Sequence, residues 1–459
     1  MPDDDDSLRA LARVIARVEE MLERFPLQAG KDLRARVATV RTLLFEKRPP
    51  ALVLVGRRGA GKSSLVNALF GAKMAELGHV TAQTGRARWY DYERDGGAMS
   101  ILDTRGIQEG SAPAESDTAK TALESIAVEL RAKAPDVVVF LVKASDVDSA
   151  IDADLDALER VYDELRRAHN GAEPPLVVVV THCDLLEPKS TPLPSAAFSQ
   201  RGSRGGVPEG GERAREEVAE KMHHVLAAER AASNKVDGRP KLQARHQGTL
   251  GVSTYMSWRE PTERSATTDD GIAGSAGVRR EAILRADERW RIDDLAVILF
   301  RLLPEAGRAE LARATQARAV QEELAKTLTK ATATICAGIA AAPIPFADVV
   351  PLTTLQAGLV AAIAWIGGRS LDRRGAGEFL AGLGANVGAA FALREAFRGL
   401  VKLVAPGGGP VLSATIAFSG TMAIGAAARA YFVRGVSAED ARKVFRRSPS
   451  EKDEDQRKN

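Results

Sequence analysis

The sequence predicts an α/β domain with a mostly parallel sheet, preceded by an N-terminal helical hairpin and followed by an all-α region. Short, uninterrupted runs of valine and leucine, each followed by a turn motif, are typical of parallel strands covered on both faces. Beyond residue 327 the chain becomes rich in alanine and glycine, and its uncharged stretches have the length of helices rather than strands. These two patterns separate the α/β domain from the helical region.

Residues 1–49 are predicted to form the helical hairpin. Its two apolar stripes have the spacing of helix faces and consist of Leu8, Leu11, Ile15, Val18 and Leu22, and of Leu33, Val37, Val40 and Leu44. Pro26 and Gly30 mark the turn between the helices. The pattern leaves open whether the hairpin packs on the α/β domain or on another protomer.

Residues 56–63 read G-x-x-x-x-G-K-S and lie between the apolar run Ala51–Val55 and an apolar helix pattern. In this order of strand, loop and helix, the main-chain N–H groups of the loop bind phosphate at the helix N-terminus. Lys62 is expected to contact the β- and γ-phosphates, and the Ser63 hydroxyl to bind Mg²⁺. The predicted phosphate-binding residues are Gly56, Gly59, Ala60, Gly61, Lys62, Ser63 and Ser64.

Two further segments are predicted to reach the metal ion and the γ-phosphate. Residues 103–106 form a D-x-x-G motif after a predicted strand, so that Asp103 reaches Mg²⁺ through water and the Gly106 N–H meets the γ-phosphate. A threonine of residues 79–85 is expected to close over both as a mobile switch. Thr84 is the first candidate and Thr81 the second.

A third group of residues is predicted to bind the base. The valine-rich strand at residues 176–180 runs into Thr181 and His182, followed by Asp184. The Asp184 carboxylate can accept hydrogen bonds from the N1–H and the exocyclic amine of guanine, a donor pair that adenine lacks, so this residue selects GTP over ATP. Ser253, in a predicted last strand at residues 249–254, is expected to touch the base.

These motifs carry a family resemblance. Residues 56–71 resemble the first motif of the Era/TrmE-like branch of translation-factor-type GTPases, and the P-loop is similar to that of the immunity-related and dynamin-like GTPases. The resemblance covers about residues 50–305 and includes residues 103–106 and 181–184. The family usually has lysine at the position of His182. Its potassium-dependent members have an ion-binding asparagine where this chain has Gly59.

The resemblance also implies slow hydrolysis of GTP. Ile107 follows the D-x-x-G motif where Ras-like enzymes have the glutamine that orients the attacking water. GTPases with an apolar residue at this position hydrolyse GTP slowly alone and faster once a second protomer or a partner completes the site. An arginine finger is expected from Arg57, Arg58 or Arg105, with Arg58 as the first candidate.

Bulk properties restrict the class of protein. A chain of 459 residues has room for two or three domains. Its 64 lysines and arginines against 61 acidic residues leave a net charge of +3, so no nucleic-acid partner is expected. Two cysteines form no disulfide framework and fit a reducing compartment. Residues 1–6 are acidic and lack the apolar region of a signal peptide.

The remaining boundaries follow from changes in composition. The nucleotide-binding domain is predicted over residues 50–305, with a mobile insertion rich in serine, proline and glycine at residues 189–211. A connecting helix is predicted over residues 306–326, an Ala/Gly-rich helical domain over 327–447 and a charged tail over 448–459. Residues 343–348 and 356–360 resemble the C-terminal domain of YcjF-type proteins, which is found fused to Era-like GTPases.

Residues 327–433 are expected to associate with a membrane. Residues 411–428 carry no charge, and eighteen helical residues span about 27 Å, just short of a ~30 Å hydrocarbon core. Gly384 and Gly388 form a G-x-x-x-G face, and basic residues follow the last apolar stretch. A soluble helical bundle remains the alternative, because small residues also pack tightly in water.

Together these patterns predict a bacterial-type GTPase that binds GTP, GDP and Mg²⁺, forms a homodimer through its GTPase domain, and works as a switch at the cytoplasmic side of the inner membrane or in the cytoplasm. Two other classes remain open. One is a soluble P-loop ATPase acting on a small molecule, and the other is a membrane scaffold that holds nucleotide without turnover.

Overall fold

The structure is a computed structural model of the full chain. It describes residues 12–13, 15–16, 19–20, 27–46, 48–74, 87–94, 96–103, 122–171, 173–194, 211–259, 283–341, 349–369, 378–379, 382–383 and 409–446. The chain divides into two compact units. The first, the α/β unit, consists of Pro50–Arg94 and Ala98–Leu303; the second, the helical unit, consists of Met1–Pro49, Asp95–Gly97 and Pro304–Asn459. The segment predicted as an N-terminal hairpin therefore belongs to the same unit as the C-terminal helices.

The α/β unit is built on a six-stranded sheet with strand order β2-β3-β1-β4-β5-β6. The strands of this sheet are Ala51–Val55 (β1), Arg88–Arg94 (β2), Gly97–Asp103 (β3), Val137–Lys143 (β4), Leu176–Thr181 (β5) and His246–Gly251 (β6). A separate antiparallel pair consists of Met256–Arg259 (β7) and Ile283–Asp287 (β8). Strands β3, β1, β4, β5 and β6 are parallel neighbours. This confirms the predicted mostly parallel sheet.

Burial explains why these runs are strands. Every residue of β1 and β5 is buried, as is β4 up to its last residue. Helices on both faces cover such strands, so both faces select apolar, β-branched side chains. The helices of this unit are Lys62–Phe70 (α2), Ala122–Ala132 (α3), Ile151–Ala168 (α4), Gly211–Asp237 (α5), Pro240–Gln243 (α6) and Ile292–Leu302 (α7). The core around β4 and β5 includes Phe140, Tyr162 and Leu165.

The helical unit confirms the predicted all-α region. Its described helices are Leu27–Phe45 (α1), Glu305–Thr315 (α8), Arg318–Ala341 (α9), Val349–Ile366 (α10), Gly409–Ala428 (α11) and Ala438–Arg446 (α12), with a π-helical turn at Arg429–Val433. Helices α9 and α11 approach closely where Gly425 faces the Thr329 side chain, because a Cβ at residue 425 would overlap that threonine. Gln356 on α10 donates a hydrogen bond to the Thr421 hydroxyl of α11 at 3.1 Å.

An acidic residue of α9 also binds two arginines of the following helical segment. The Glu322 carboxylate accepts hydrogen bonds from Arg434 at 2.7 Å and from Arg429 at 3.5 Å. The side chains of Glu322 and Arg429 are only 15% and 13% exposed. This ion-pair cluster holds the end of the apolar segment against α9.

The observed helices and strands differ from the sequence-based expectation in three respects. Helix α1 begins at Leu27, so Gly30 lies inside a helix rather than in a turn. The segment expected as one connecting helix contains two helices, because Gln316 adopts a left-handed conformation with φ 52° between α8 and α9. Strands β2, β7 and β8 were not expected, since they lack an uninterrupted apolar run.

Within the described residues, the helical segment Ser413–Val433 is long and apolar enough to cross a membrane, and about half of it is buried inside the protein. The apolar helix Leu352–Ile366 is shorter than that. The core helices of soluble proteins have the same length and composition.

Candidate functional site

The phosphate-binding loop follows β1 and leads into α2, as the motif predicts. Gly59 and Gly61 have φ values of 76° and 90°, a left-handed backbone that residues with a side chain rarely adopt. Gly56 is required for a different reason, because a Cβ there would lie 2.5 Å from the main-chain oxygen of Leu141 on β4. The glycines of the motif therefore allow the tight turn and its close approach to the sheet.

Lys62 begins α2, and its side chain folds back over the loop. Its Nζ atom donates hydrogen bonds to the carbonyl oxygens of Gly56 at 3.0 Å and Arg57 at 3.2 Å. Ser63 and Ser64, in the first turn of α2, are half-buried. The loop thus brings an ammonium group and two hydroxyls to the N-terminal end of a helix, where the helix dipole favours anions.

The two arginines of the loop have different surroundings. Arg57 is bound to α4: its guanidinium donates to the Asp154 carboxylate at 2.9 and 3.2 Å and to the Ala150 carbonyl at 2.8 Å. Asp154 is fully buried, and its hydrogen bond raises the pKa of Arg57. Arg58 is exposed. The geometry therefore commits Arg57 to holding the loop and leaves Arg58 as the arginine that faces solvent.

Thr181 joins the end of β5 to the phosphate-binding loop. Its buried hydroxyl donates a hydrogen bond to the carbonyl of Ala60 at 3.0 Å, and the Val142 carbonyl lies 3.3 Å away. The same hydroxyl is 2.9 Å from Nδ1 of His182. The predicted phosphate and base segments are therefore adjacent, as the parallel order of β1, β4 and β5 requires.

The His182 ring lies over the loop, and a cation lies next to it. A Cβ on Gly61 would be 3.4 Å from Cε1 of His182, and a Cβ on Gly59 would be 3.3 Å from Nζ of Lys143. Burial and, secondarily, the charge of Lys143 lower the pKa of His182. The neutral form of the imidazole is thus favoured, and Lys143 is the cation beside it.

The segment that carries Asp184 is held in place by α5. Lys221 of α5 is only 1% exposed, and its Nζ donates to the carbonyls of Asp184 at 2.8 Å, Pro188 at 3.2 Å and Thr191 at 2.7 Å. Its burial lowers the pKa of its ammonium group. The Thr191 hydroxyl also donates to the Glu217 carboxylate at 3.1 Å. Side chains of one helix therefore fix the main chain from Asp184 to Thr191.

Strand β6 ends at Gly251, three residues before the predicted end at Thr254, so Ser253 lies just after the strand. Ser253 is fully buried and exchanges two main-chain hydrogen bonds with Trp290, at 3.2 and 3.0 Å. Its hydroxyl accepts a 3.4 Å hydrogen bond from the Tyr255 N–H. Its contact with a base stays a prediction.

The predicted metal site is described in part. Asp103 is the last residue of β3 and pairs with Leu54 of β1, so its main chain lies at the sheet edge from which the phosphate-binding loop emerges. A serine hydroxyl and an aspartate carboxylate are residue types that supply the oxygen ligands Mg²⁺ prefers. Thr81, Thr84, Arg105, Gly106 and Ile107 lie outside the described residues. No cluster of three metal-binding His, Cys, Asp or Glu side chains occurs among those that are described.

Three contacting residues were not found from the sequence: Asp154, Lys143 and Lys221. Each is a charged residue on a strand or helix remote in sequence from its partner, and a charged side chain in an amphipathic helix normally indicates a solvated face. Of the three, only Lys143 could have been found from the sequence. It ends the apolar run of β4, and the carboxyl ends of parallel strands border the ligand site.

Part of the chain is similar in sequence to known GTPases. A family model described as 50S ribosome-binding GTPase matches residues 51–182. The GTPase Der of Neisseria gonorrhoeae is 31% identical over 91 residues, which cover 20% of this chain and 16% of Der. The tRNA modification GTPase MnmE of Cupriavidus necator is 33% identical over 146 residues, covering 27% of this chain and 29% of MnmE. The chain thus spans less than a third of these relatives.

Solved structures of GTPases are also similar to the chain. Toc33 from Arabidopsis thaliana, in complex with Mg²⁺ and GMPPNP, has 16% identity and a TM-score of 0.28, covering 51% of this chain and 82% of Toc33. Era from Aquifex aeolicus, bound to GDP.AlF4-, has 16% identity and a TM-score of 0.26, covering 62% of this chain and 67% of Era. By its motif, its fold and the family model, the part of the chain at residues 51–182 is a P-loop GTPase domain.

Proposed function

We propose that this protein binds GTP with Mg²⁺, hydrolyses it slowly to GDP, and works as a membrane-associated switch. The observation that carries the proposal is the hydrogen bond from the Thr181 hydroxyl to the Ala60 carbonyl at 3.0 Å. This bond puts the segment that bears Asp184 next to the loop that bears Lys62. This proximity supports a single site in which the loop would bind the phosphates and Asp184 would select the base.

In this proposal the residues divide by chemistry. The N–H groups of residues 56–64 and the Lys62 ammonium bind the phosphates. Ser63, Thr84 and Asp103 would hold Mg²⁺, and the ion would neutralise the charge that develops on the phosphates. Gly106 contacts the γ-phosphate, Asp184 and Ser253 contact guanine, and Arg58 is the candidate arginine finger.

The test of nucleotide choice uses purified protein and Asp184→Asn. We expect the wild-type protein to bind GTP and GDP at least about 100-fold more tightly than ATP, by competition against a fluorescent GDP. In Asp184→Asn the side chain offers an amide donor, so affinity for GTP falls and affinity for XTP, which has a carbonyl in place of the exocyclic amine, rises. Equal binding of ATP and GTP by the wild-type protein would instead identify a P-loop ATPase.

The rate of GTP hydrolysis distinguishes a GTPase switch from a scaffold that only holds nucleotide. We expect slow GTP hydrolysis that accelerates with protein concentration or with liposomes, because a second protomer completes the site in the proposed homodimer. Light scattering with and without GTP measures that dimer directly. Tight GTP binding without hydrolysis under any of these conditions would overturn the switch and favour the nucleotide-holding scaffold.

We also propose that residues 327–433, which lie within the YcjF-like region 327–447, bind to a membrane at the cytoplasmic side of the inner membrane. The supporting observation is the apolar segment Ser413–Val433, about half of which is buried by the protein. Ile416 on this segment is 37% exposed. Ile416→Glu is expected to abolish co-sedimentation with liposomes, whereas Ile283→Glu, at a 58% exposed position of the α/β unit, leaves it unchanged. Wild-type protein that stays in the supernatant would indicate a soluble helical bundle.

A further inference from the structure

Lys143 is the last residue of β4 and lies beside the phosphate-binding loop. A Cβ added to Gly59 would be 3.3 Å from its Nζ and 3.6 Å from its Cε, so the end of this side chain is in contact distance of the loop. Gly59 has a φ of 76° and leaves the space that the lysine uses. The position at the carboxyl end of a parallel strand is where ligands bind in such sheets.

No carboxylate among the described residues pairs with the Lys143 ammonium. Within the described residues, Lys143 has no carboxylate oxygen within 4 Å, although many lysines and arginines of this chain are in ion pairs. Its side chain is half-buried, which weakens the screening of its charge by water. An uncompensated, partly desolvated ammonium beside a phosphate-binding loop is a site for an anionic oxygen.

The neighbouring residue of the base-recognition segment cannot supply this charge. His182 occupies the position where related GTPases usually have lysine. Its ring lies beside Gly61, because a Cβ added to Gly61 would be 3.4 Å from Cε1 of His182. Burial and the charge of Lys143 lower the pKa of His182 and so favour its neutral form. Lys143 therefore adds a cation from β4 beside the loop, in addition to Lys62 of α2.

We propose that Lys143 is a nucleotide-contacting residue that binds a phosphate oxygen of GTP or GDP. The inference rests on the proposed function, since it assigns a further contact within the same site. In this proposal the positive charge of Lys143, and not only the size of its side chain, stabilises the bound nucleotide.

The experiment compares two substitutions at position 143. Lys143→Met keeps the length of the side chain and removes the charge, whereas Lys143→Arg keeps the charge. We expect Lys143→Met to weaken GDP and GTP binding about tenfold, the lower range for a charged hydrogen bond, and Lys143→Arg to stay within about threefold of wild type. Lys189→Met is the matched control, because Lys189 is 72% exposed on the same unit.

A Lys143→Met protein with unchanged affinity, or a Lys143→Arg protein that loses as much as Lys143→Met, would overturn the inference. Wild-type protein that binds neither nucleotide would overturn the proposed function itself.

Discussion

The Thr181 hydroxyl donates a 3.0 Å hydrogen bond to the main-chain carbonyl of Ala60, and so joins the end of β5 to the phosphate-binding loop. The residues are 121 positions apart in the chain. Because Thr181 is fully buried, water cannot replace its hydroxyl if it is removed. The phosphate-binding loop and the segment predicted to bind the base are thus held together by a buried polar contact.

Thr181→Val removes that hydroxyl with little change of shape. Leaving the Ala60 carbonyl without this donor is expected to cost about 1–3 kcal/mol of stability and to weaken nucleotide binding. Urea unfolding and GDP titration measure the two effects. Thr249→Val is the control, because its hydroxyl contacts the His246 ring instead of the loop. Equal losses in both variants would contradict a special role for Thr181.

Arg57→Met leaves the fully buried Asp154 carboxylate without its guanidinium. Breaking a buried pair costs about 3–5 kcal/mol, and we expect about 2–3 here because a quarter of the Arg57 side chain is exposed. The matched variant Arg58→Met, at an exposed position of the same loop, is expected to cost less than about 1 kcal/mol. Comparable urea midpoints for the two variants would show that the Arg57 pair contributes little.

Lys221→Met removes the donor to three carbonyls of the segment from Asp184 to Thr191. We expect the ratio of GTP to ATP affinity to fall about tenfold, because the orientation of Asp184 is no longer fixed. Phosphate-binding residues are untouched, so ATP affinity should change little. Arg215→Met, at an exposed site of the same helix, controls for the loss of a cation. A uniform loss for both nucleotides would indicate a purely structural lysine.

The pKa of His182 is expected below the ordinary histidine value, because the ring is buried and faces Lys143. The unfolded chain then takes up this proton at a higher pH than the folded one, so acidification through the ordinary histidine range destabilises the fold. An NMR titration of the ring measures the pKa directly. Lys143→Met should raise it, and an unchanged value would place the lysine farther from the ring.

Glu322→Gln tests the ion-pair cluster of the helical unit. The substitution leaves the 13% exposed Arg429 without its carboxylate, and a cost of about 2–3 kcal/mol is expected. Glu323→Gln is the control, since Glu323 is 36% exposed and pairs with Lys326 on the surface. Thermal unfolding of the two variants decides the point. Equal melting temperatures would mean that Glu322 is dispensable.

Much of the α/β unit was predictable because its determinants are local. The runs at β1, β4 and β5 are apolar on both faces, and the glycines of residues 56–61 require backbone geometry that other residues resist. Strands β2, β7 and β8 were not predicted, because half-exposed strands with charged residues lack a distinct pattern. The break at Gln316 was also missed, since no glycine or proline marks it.

The sequence by itself determined the P-loop, the apolar runs that form β1, β4 and β5, and the helical character of the last third of the chain, because each depends on residues close together in sequence. Only the tertiary structure decided which charged groups meet. Arg57 meets Asp154, Lys143 meets the loop at Gly59, and Lys221 meets the segment after β5. Such contacts depend on how helices and strands pack, and the periodicity of a single element carries no information about a partner tens of residues away.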